Sequence, residues 1–368
     1  MKRSITELKP VILAFLLWRG LLFLWGIIAL RLLEFKASFP LINESLIISG
    51  YPQWLWQWGN FDGVHYLTVA RHGYAGLING EQVFFPVYPL LIKLVSFLTG
   101  NLFLAGLLIA NVSALLAAIL LYKLVSRDLN KNVAFWSVIF LFAFPTSFFF
   151  GAVYTEALFL LLLLLAFFLP GIAGGIAGLL AGGVRLVGAF LAPTAIFKPL
   201  NRWRIIAAGG VLSYMFYLWR QFGNPLLFLF NQGAFKNARA NTLSGLVTPP
   251  QVLYRYLRIF LTASVTHYDF WVAVLEFTAF LFGVGILTWL TVRRKVPLSY
   301  LVYSWPALVL PVFSGTLSSL PRYLLTVFPV FIGLALIKNR PFKIGLAILF
   351  ALLEVVLTTF FVRGYWVS

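Results

Sequence analysis

The sequence predicts an all-α, polytopic membrane protein, and two features of its composition support that prediction. Of 368 residues, 61% are hydrophobic and only 10% are charged, and apolar runs recur along nearly the whole chain. A helix needs roughly 20 apolar residues to cross a bilayer. Because a soluble core cannot account for so many runs of this length, we expect the chain to lie in a membrane.

Apolar runs predict nine full spans. They lie near residues 11–31, 103–124, 132–149, 152–169, 204–220, 269–291, 298–314, 321–337 and 343–362. Fifteen of the 28 Lys and Arg residues fall in short connections on one side, which the positive-inside rule makes cytoplasmic. No small-residue cleavage site follows the basic N-terminus, so we expect the first span to be retained. The N-terminus is then cytoplasmic, and the first loop, about 34–102, is extracytoplasmic.

Two further apolar segments fit no simple crossing. Residues 172–197 are too few for two crossings, yet both ends should be cytoplasmic, which predicts a re-entrant pair of half-helices. The break is expected near Gly182, Gly183 and Arg185, because glycine permits the turn. Irregular backbone at membrane depth needs protein or a watery cavity beside it, so Arg185 would face a cavity. Residues 84–98 predict an interfacial helix, since a crossing there would move the next basic connection outside.

The second outer segment, about 221–268, is long, moderately polar and rich in Arg, Tyr and Phe. This composition predicts one or two helices at the level of the lipid headgroups. No internal repeat and no soluble domain is apparent, so the whole chain, 1–368, is predicted to be a single transmembrane domain.

Composition also argues against several kinds of site. The chain has no cysteine, which excludes disulfides, thiol nucleophiles and cysteine metal ligands. Its three histidines, His65, His72 and His267, are not spaced as metal ligands, which argues against a structural zinc or haem site. The formal charge of +18 indicates contact with anionic membrane lipids. Because the basic residues are scattered between apolar spans, nucleic-acid binding is not expected.

The first loop has the densest group of candidate functional residues. Asp62, His65 and Tyr66 lie within five residues of one another and share a face if residues 62–70 are helical. A carboxylate beside an imidazole and a phenol can take the proton of an attacking hydroxyl, which is the role of a general base. The alternative is that Asp62 caps a short interfacial helix among the tryptophans of an aromatic belt. The residues alone leave both interpretations open.

Two arginines are the next candidates. Arg185 lies within the predicted re-entrant pair, and Arg322 lies at the outer end of a predicted span. Ionisable residues inside a membrane are functional candidates by default, and arginine matches phosphate oxygens with two hydrogen bonds. The alternative for Arg322 is a side chain that extends to the headgroups. We favour a functional role for both.

Two of the remaining acidic residues have two alternative interpretations each, and two others are expected to form ion pairs. Glu156 lies in the turn between two predicted spans on the outer side, where it either stabilises a helix start or binds a sugar hydroxyl. Glu81 in the first loop has the same two alternatives. Glu276 and Glu354 fall inside predicted spans, where we expect them to pair with buried cations such as Arg19.

The absence of common nucleotide-binding motifs argues against a nucleotide as the donor. The chain has no GxxxxGKS or GxxxxGKT loop, no GxGxxG that opens a helix and no DxD pair in the outer loops. A nucleotide and its Mg²⁺ therefore have no obvious binding loop, and a donor already in the membrane is the more natural expectation. No cofactor and no metal ligand is assigned, although Asp62, Glu81 and Glu156 could converge on a divalent cation.

The motifs of the first loop resemble a known family. The run FDGVHYLTVARHGY and the following FFPVYPLL are similar to the signature of the GPI mannosyltransferase II (PIG-V) family and its prokaryotic relatives, which reads W-D-x-x-H-Y, G-Y and F-F-P-x-Y-P-L. Later segments agree in order: FPTSFFFGAVYTEALFLLL, AGGVRLVGAFLAP, GNPLLFL and LPRYLLTVFPVF. The resemblance runs from about Trp58 to Phe331. Phe61 departs from the family, whose members often carry Trp there, but it keeps an aromatic ring.

The resemblance implies a GT-C-type helical bundle and a glycosyltransferase activity. It also implies interfacial helices in the first extracytoplasmic loop and a polyprenyl- or dolichyl-phosphate sugar as donor. Asp62 matches the acidic residue of the family's loop, and His65 and Tyr66 match its neighbours. Arg185 and Arg322 fall where the family has basic residues.

The resulting hypothesis is an inverting transferase in a prokaryotic plasma membrane. It moves a sugar, by resemblance mannose, from polyprenyl phosphate to a lipid or glycan acceptor outside the cytoplasm. Asp62 with His65 would be catalytic, and Arg185 and Arg322 would bind the donor phosphate. Substrate binding is assigned to Tyr66, Glu81, Tyr88 and Glu156. One alternative is a transporter or flippase of a lipid-linked sugar, and another is a structural partner of a transferase.

Overall fold

The computed structural model describes residues 2–74, 80–231 and 248–367, and within these ranges every regular element is a helix. The all-helical prediction is therefore confirmed for the described part of the chain. Residues 75–79 of the first loop and 232–247 of the second outer segment lie outside the described residues, so the predictions for them are not addressed.

The chain divides into two compact units. Unit one consists of Met1–Gly73, Val87–Leu169 and Phe331–Val367. Unit two consists of Tyr74–Pro86 and Pro170–Val330. The single-domain organisation stays a prediction.

Unit one begins with a long helix and contains the short helices of the first loop. Its helices up to residue 168 are α1 (Lys2–Leu32), α2 (Ile42–Ser45), α3 (Gln53–Trp56), α4 (Asp62–His72), α5 (Val87–Thr99), α6 (Leu102–Asp128), α7 (Lys131–Ala143) and α8 (Glu156–Phe168). Short 3-10 turns lie at Ile47–Ser49, Gln57–Gly59 and Ser147–Gly151.

Unit two contains the described helices between residues 171 and 323. They are α9 (Gly171–Val184), α10 (Ala208–Phe222), α11 (Leu227–Phe230), α12 (Pro249–Thr262), α13 (Tyr268–Arg293), α14 (Leu298–Val309) and α15 (Leu320–Tyr323). The 3-10 segments are Glu81–Val83, Leu186–Ile196, Arg202–Ala207, Leu310–Ser314 and Leu324–Thr326. The chain then returns to unit one through α16 (Pro329–Ala335) and ends with α17 (Arg340–Val362).

Four of the described helices are long and apolar enough to cross a membrane. They are Glu7–Leu32 within α1, Leu102–Asp128, Tyr268–Arg293 and Arg340–Val362. They coincide with four of the nine predicted spans, and they support an integral membrane protein.

The other predicted spans are shorter or interrupted as helices. Helix α7 ends at Ala143, just before Pro145, and α8 begins only at Glu156, so each is 13 residues long. Thirteen helical residues rise about 20 Å, less than the roughly 30 Å of a hydrocarbon core. The predicted span 321–337 is divided between α15, a 3-10 turn and α16, which begins at Pro329. Proline cannot donate a backbone hydrogen bond and disfavours helix in the residue before it, which explains both interruptions. The number of crossings stays a prediction.

The predicted break in residues 172–197 is present. Helix α9 ends at Val184, Arg185 is extended (φ −152°, ψ 144°), and a 3-10 segment follows. A Cβ on Gly188 would lie 2.5 Å from the carbonyl carbon of Ala181, so the chain folds back tightly after the break. Its depth in a bilayer stays a prediction. Helix α5, which fills most of the predicted interfacial segment 84–98, is 13 residues long.

Candidate active site

The acidic residue of the first loop begins a helix. Asp62 is the first residue of α4, so the helix on which its predicted shared face with His65 and Tyr66 depends is present. Asp62 is half-buried, whereas the His65 and Tyr66 side chains are only 4% and 7% exposed. The N-cap position belongs to Phe61, so Asp62 is not the capping residue. Its carboxylate still lies at the positive end of the helix dipole.

Tyr154, which lies just before α8, fixes the backbone before α4. The hydroxyl of Tyr154 donates to the carbonyl oxygen of Asn60 (3.0 Å) and accepts from the backbone N–H of Asp62 (3.2 Å). The backbone N–H of Val153 also donates to the carbonyl oxygen of Trp58 (2.9 Å). These contacts join the start of α4 to the segment that precedes α8.

Tyr66, Tyr88 and Glu156 lie next to this junction in unit one. The hydroxyls of Tyr66 and Thr155 are 3.3 Å apart, and the ring of Tyr66 meets the ring of Tyr88 edge to face at 5.1 Å. Tyr88 is fully buried and donates to the carbonyl oxygen of Gly106 (3.2 Å). Burial raises the pKa of Tyr88 well above its usual value, and the nearby Tyr66 and Glu156 raise it further.

Glu156 begins a helix just as Asp62 does. It is the first residue of α8, it is 1% exposed, and Thr155 takes the N-cap position. A buried carboxylate at a helix start is stabilised by the helix dipole. Both the structural and the sugar-binding interpretation of Glu156 therefore stay open.

The two candidate arginines of unit two share one aromatic ring. The guanidinium carbon of Arg185 lies 4.6 Å from the ring centroid of Tyr323, and that of Arg322 lies 5.4 Å from the same centroid. Arg322 is only 4% exposed, which does not fit a side chain that extends to lipid headgroups. The fold thus brings together two cations that are 137 positions apart in the sequence.

The loop before Arg322 is held by a buried tyrosine. The hydroxyl of Tyr256, on α12, accepts from the backbone N–H of Leu317 (3.0 Å) and hydrogen-bonds to the carboxylate of Glu276. Burial raises the pKa of Tyr256 above its usual value, with Glu276 as the next cause. The side chain of Arg255 donates to the carbonyl oxygen of Gly315 (2.6 Å) in the same loop.

Glu81 belongs to unit two, unlike Asp62 and Glu156. It is fully buried in the 3-10 turn Glu81–Val83. The next residue, Gln82, accepts through its backbone carbonyl from the hydroxyl of Tyr214 (2.8 Å), which fixes this turn against α10. Within the described residues, no group of three or more His, Asp or Glu side chains is arranged to hold a metal ion.

The expected pairing of Glu354 with Arg19 is wrong. Glu354 accepts from the indole N–H of Trp18 (2.8 Å) and from the hydroxyl of Ser147. The guanidinium carbon of Arg19 instead lies 4.4 Å from the ring centroid of Trp58. A buried carboxylate can be satisfied by neutral donors and a buried guanidinium by aromatic faces, so opposite charges need not meet.

Several residues that contact the candidate residues within each unit were not singled out from the sequence. Tyr154 lies two residues before Glu156 in the motif GAVYTEAL, and Tyr323 directly follows Arg322 in the motif LPRYLL. Their position within these motifs was the available signal. Asn60 and Tyr256 gave no signal, because their partners are distant in sequence.

Comparison with known proteins supports the resemblance. The family model described as mannosyltransferase (PIG-V) matches residues 9–175, somewhat less than half of the chain. This region contains Asp62, Tyr154 and Glu156. No curated protein and no solved structure matches the chain. The family match supports a glycosyltransferase, and it supports the resemblance of residues 9–175 to the PIG-V-like family of mannosyltransferases.

Proposed function

We propose that this chain is a GT-C-fold transferase that moves mannose from a polyprenyl-phosphate donor to an extracytoplasmic lipid or glycan acceptor. The observation that carries the proposal is Asp62: a half-buried aspartate at the start of a helix whose neighbouring residues are buried, within the part of the chain that matches the family. An aspartate that is not fully buried can meet an acceptor hydroxyl while its backbone is fixed.

In the proposed step, an acceptor hydroxyl attacks the anomeric carbon of the donor sugar. The new C–O bond forms as the bond from that carbon to the phosphate oxygen breaks, which inverts the configuration. Asp62 takes the hydroxyl proton, and the polyprenyl phosphate leaves as an anion. In this proposal His65 acts with Asp62 in catalysis. Four further residues bind substrate: Tyr66, Glu81, Tyr88 and Glu156.

The departing phosphate needs positive charge. Arg185 and Arg322 lie on the same tyrosine ring, and guanidinium groups bind phosphate with paired hydrogen bonds. Cations aimed at a developing negative charge lower the barrier of transfer reactions. We therefore assign both arginines to the donor phosphate.

The test compares two substitutions at helix starts. Membranes that contain the Asp62→Asn protein are supplied with radiolabelled polyprenyl-phosphate mannose, and transfer to endogenous lipid and glycan is measured. We expect a loss of at least about 100-fold, because a general base contributes a factor of that order or more. Asp269→Asn is the matched control, since Asp269 is an exposed acid in the first turn of α13. Retained transfer in the folded Asp62→Asn protein would refute the assignment of the base.

A transporter of lipid-linked sugar is the second candidate, and the broken helix at Arg185 is the observation that favours it. Proteoliposomes assayed first without and then with acceptor separate the two functions. Movement of the donor between leaflets with no transfer product in the presence of acceptor would favour transport.

A further inference from the structure

The backbone immediately before Asp62 is in an unusual conformation. Phe61 has φ 57° and ψ −116°, and Asp62 follows it as the first residue of α4. These dihedrals are those of the first central residue of a type II′ turn, where glycine is the usual residue because a Cβ is poorly accommodated at positive φ. The backbone N–H of Gly63 donates to the carbonyl oxygen of Asn60 (3.4 Å), which closes the turn.

A phenylalanine in this conformation persists only if the surroundings fix it more strongly than the strain opposes it. The ring of Phe61 is buried, with its centroid 4.6 Å from that of Phe39, 5.9 Å from that of Phe361 and 5.4 Å from that of Trp366. These contacts restrain the ring of Phe61, but ring contacts alone do not fix the dihedral angles of its backbone. The peptide groups on either side of Phe61 need their own restraints.

Tyr154 supplies a restraint on both sides. Its single hydroxyl donates to the carbonyl oxygen before Phe61, at Asn60, and accepts the N–H after it, at Asp62. One atom thus bridges the two ends of the strained residue. Tyr154 is 1% exposed, so water does not compete for either bond.

Asn60 fixes the same turn to the end of the last helix. Its side-chain amide donates to the carbonyl oxygens of Phe361 (2.9 Å) and Val362 (3.2 Å), and Asn60 is fully buried. The last carbonyls of a helix have no partner within the helix, so they are available to an external donor. The turn at the start of α4 is therefore hydrogen-bonded both to Tyr154, just before α8, and to the C-terminal end of α17.

We propose that Tyr154 and Asn60 are positioning residues that hold the Asn60–Gly63 turn in its II′ form and so set the direction of the Asp62 carboxylate. The inference rests on the proposed role of Asp62 as the base. Neither residue is assigned to contact the substrate. A misplacement of about 1 Å at a reacting group can reduce rate about 100-fold, so a positioning residue acts on turnover more than on donor binding.

The first experiment measures turnover. Tyr154→Phe removes only the hydroxyl, and we expect kcat to fall about tenfold or more while KM for polyprenyl-phosphate mannose changes less than about twofold. Tyr122→Phe is the matched control, because Tyr122 is another buried tyrosine of unit one, on α6. An unchanged kcat in Tyr154→Phe would overturn the proposal.

The second experiment tests the turn itself. Phe61→Gly and Phe61→Ala both remove the ring, but only glycine relieves the strain at positive φ. We expect Phe61→Gly to unfold at a higher temperature than Phe61→Ala, the reverse of the order expected at negative φ. In the Tyr154→Phe background, Phe61→Gly should have a higher kcat than Phe61→Ala. Equal values for the two variants would contradict the II′ assignment.

A wild-type chain without any transfer activity would refute the proposed function, and the turn is then judged by stability alone. In a double-mutant cycle of Tyr154→Phe with Phe61→Gly, the melting-temperature decrease of the double variant should be smaller than the sum of the two single decreases. The reason is that glycine adopts the turn conformation without the two hydrogen bonds of the Tyr154 hydroxyl. Additive decreases would overturn the coupling.

Discussion

Arg185 and Arg322 place their guanidinium groups on one ring, that of Tyr323, at 4.6 Å and 5.4 Å from its centroid. An aromatic face attracts a cation and fixes its orientation without neutralising its charge. Guanidinium groups fixed in this way can bind phosphate oxygens with paired hydrogen bonds. This arrangement therefore suits a phosphate-binding role for both arginines.

Replacing either arginine should weaken binding of the donor. A hydrogen bond to a charged group contributes about 1.5–3 kcal/mol, so we expect Arg185→Gln or Arg322→Gln to reduce affinity for polyprenyl-phosphate mannose about 10- to 100-fold. The measurement is the rise in melting temperature on adding the donor, which needs no acceptor. Arg220→Gln is the control, because Arg220 is exposed in the last turn of α10. Full donor stabilisation of both variants would contradict the assignment.

The hydroxyl of Tyr256 should act through the loop that leads to Arg322. Tyr256→Phe removes the acceptor of the Leu317 N–H and the hydrogen bond to Glu276. We expect donor affinity to fall about threefold to tenfold, in line with about 0.5–1.5 kcal/mol for a typical hydrogen bond. Tyr254→Phe is the matched control, since Tyr254 is 67% exposed on the same helix. An equal loss in both variants would exclude a specific role for Tyr256.

The same pair predicts how this loop responds to pH. Burial and Glu276 raise the pKa of Tyr256 above its usual 10.0. A group whose pKa is raised in the folded state contributes full stability below its unfolded pKa and loses it only as the pH rises through the folded value. The Tyr256 contribution should therefore be constant up to about pH 10. A melting-temperature difference between wild type and Tyr256→Phe that shrank between pH 7 and 9 would contradict this.

Local signals in the sequence predicted the all-helical class and the break at Arg185, and distance along the chain limited the prediction of contacts. The break at Arg185 follows from a run of glycines before it, which is a local feature. The hydrogen bond from Asp62 to Tyr154 joins residues 92 positions apart. No periodicity or composition in one sequence specifies which tyrosine meets which loop, so this part of the site required the structure.

Hydropathy also concealed the interruptions of predicted spans. Residues 321–337 are apolar enough to predict one crossing, yet α15 ends at Tyr323 and α16 begins at Pro329. The prolines were visible in the sequence, but average hydropathy does not register the loss of a backbone donor. Ser319, with φ 68°, adds a left-handed residue before α15 that no composition predicts.

Glu354 should stabilise unit one as a hydrogen-bond acceptor. It accepts from Trp18 and Ser147 in a buried setting, and Gln can preserve one accepting oxygen where Leu cannot. We expect Glu354→Leu to lower the free energy of unfolding by about 1–3 kcal/mol and Glu354→Gln by less. Thermal unfolding in detergent measures both. Equal losses would show that the ionised carboxylate, and not its accepting geometry, is required.

Gly151 should be required because a guanidinium occupies the space of a side chain. A Cβ there would lie 2.8 Å from Nη1 and 3.0 Å from Cζ of Arg19. That guanidinium is stacked on Trp58, which lies four residues before Asp62, so it has a packed face on one side. We expect Gly151→Ala to destabilise unit one by about 1–3 kcal/mol, the usual cost of overpacking.

Gly20→Ala is the control for this prediction because it makes the same chemical change beside the same arginine. A Cβ on Gly20 would meet nothing within 4 Å, and Gly20 lies in the interior of α1. Alanine favours helix over glycine by about 1 kcal/mol, so this variant should unfold at an equal or higher temperature than wild type. If Gly151→Ala were as stable as Gly20→Ala, Arg19 would be able to move away from Gly151. The stack on Trp58 could then not be a fixed support for the chain that leads into Asp62.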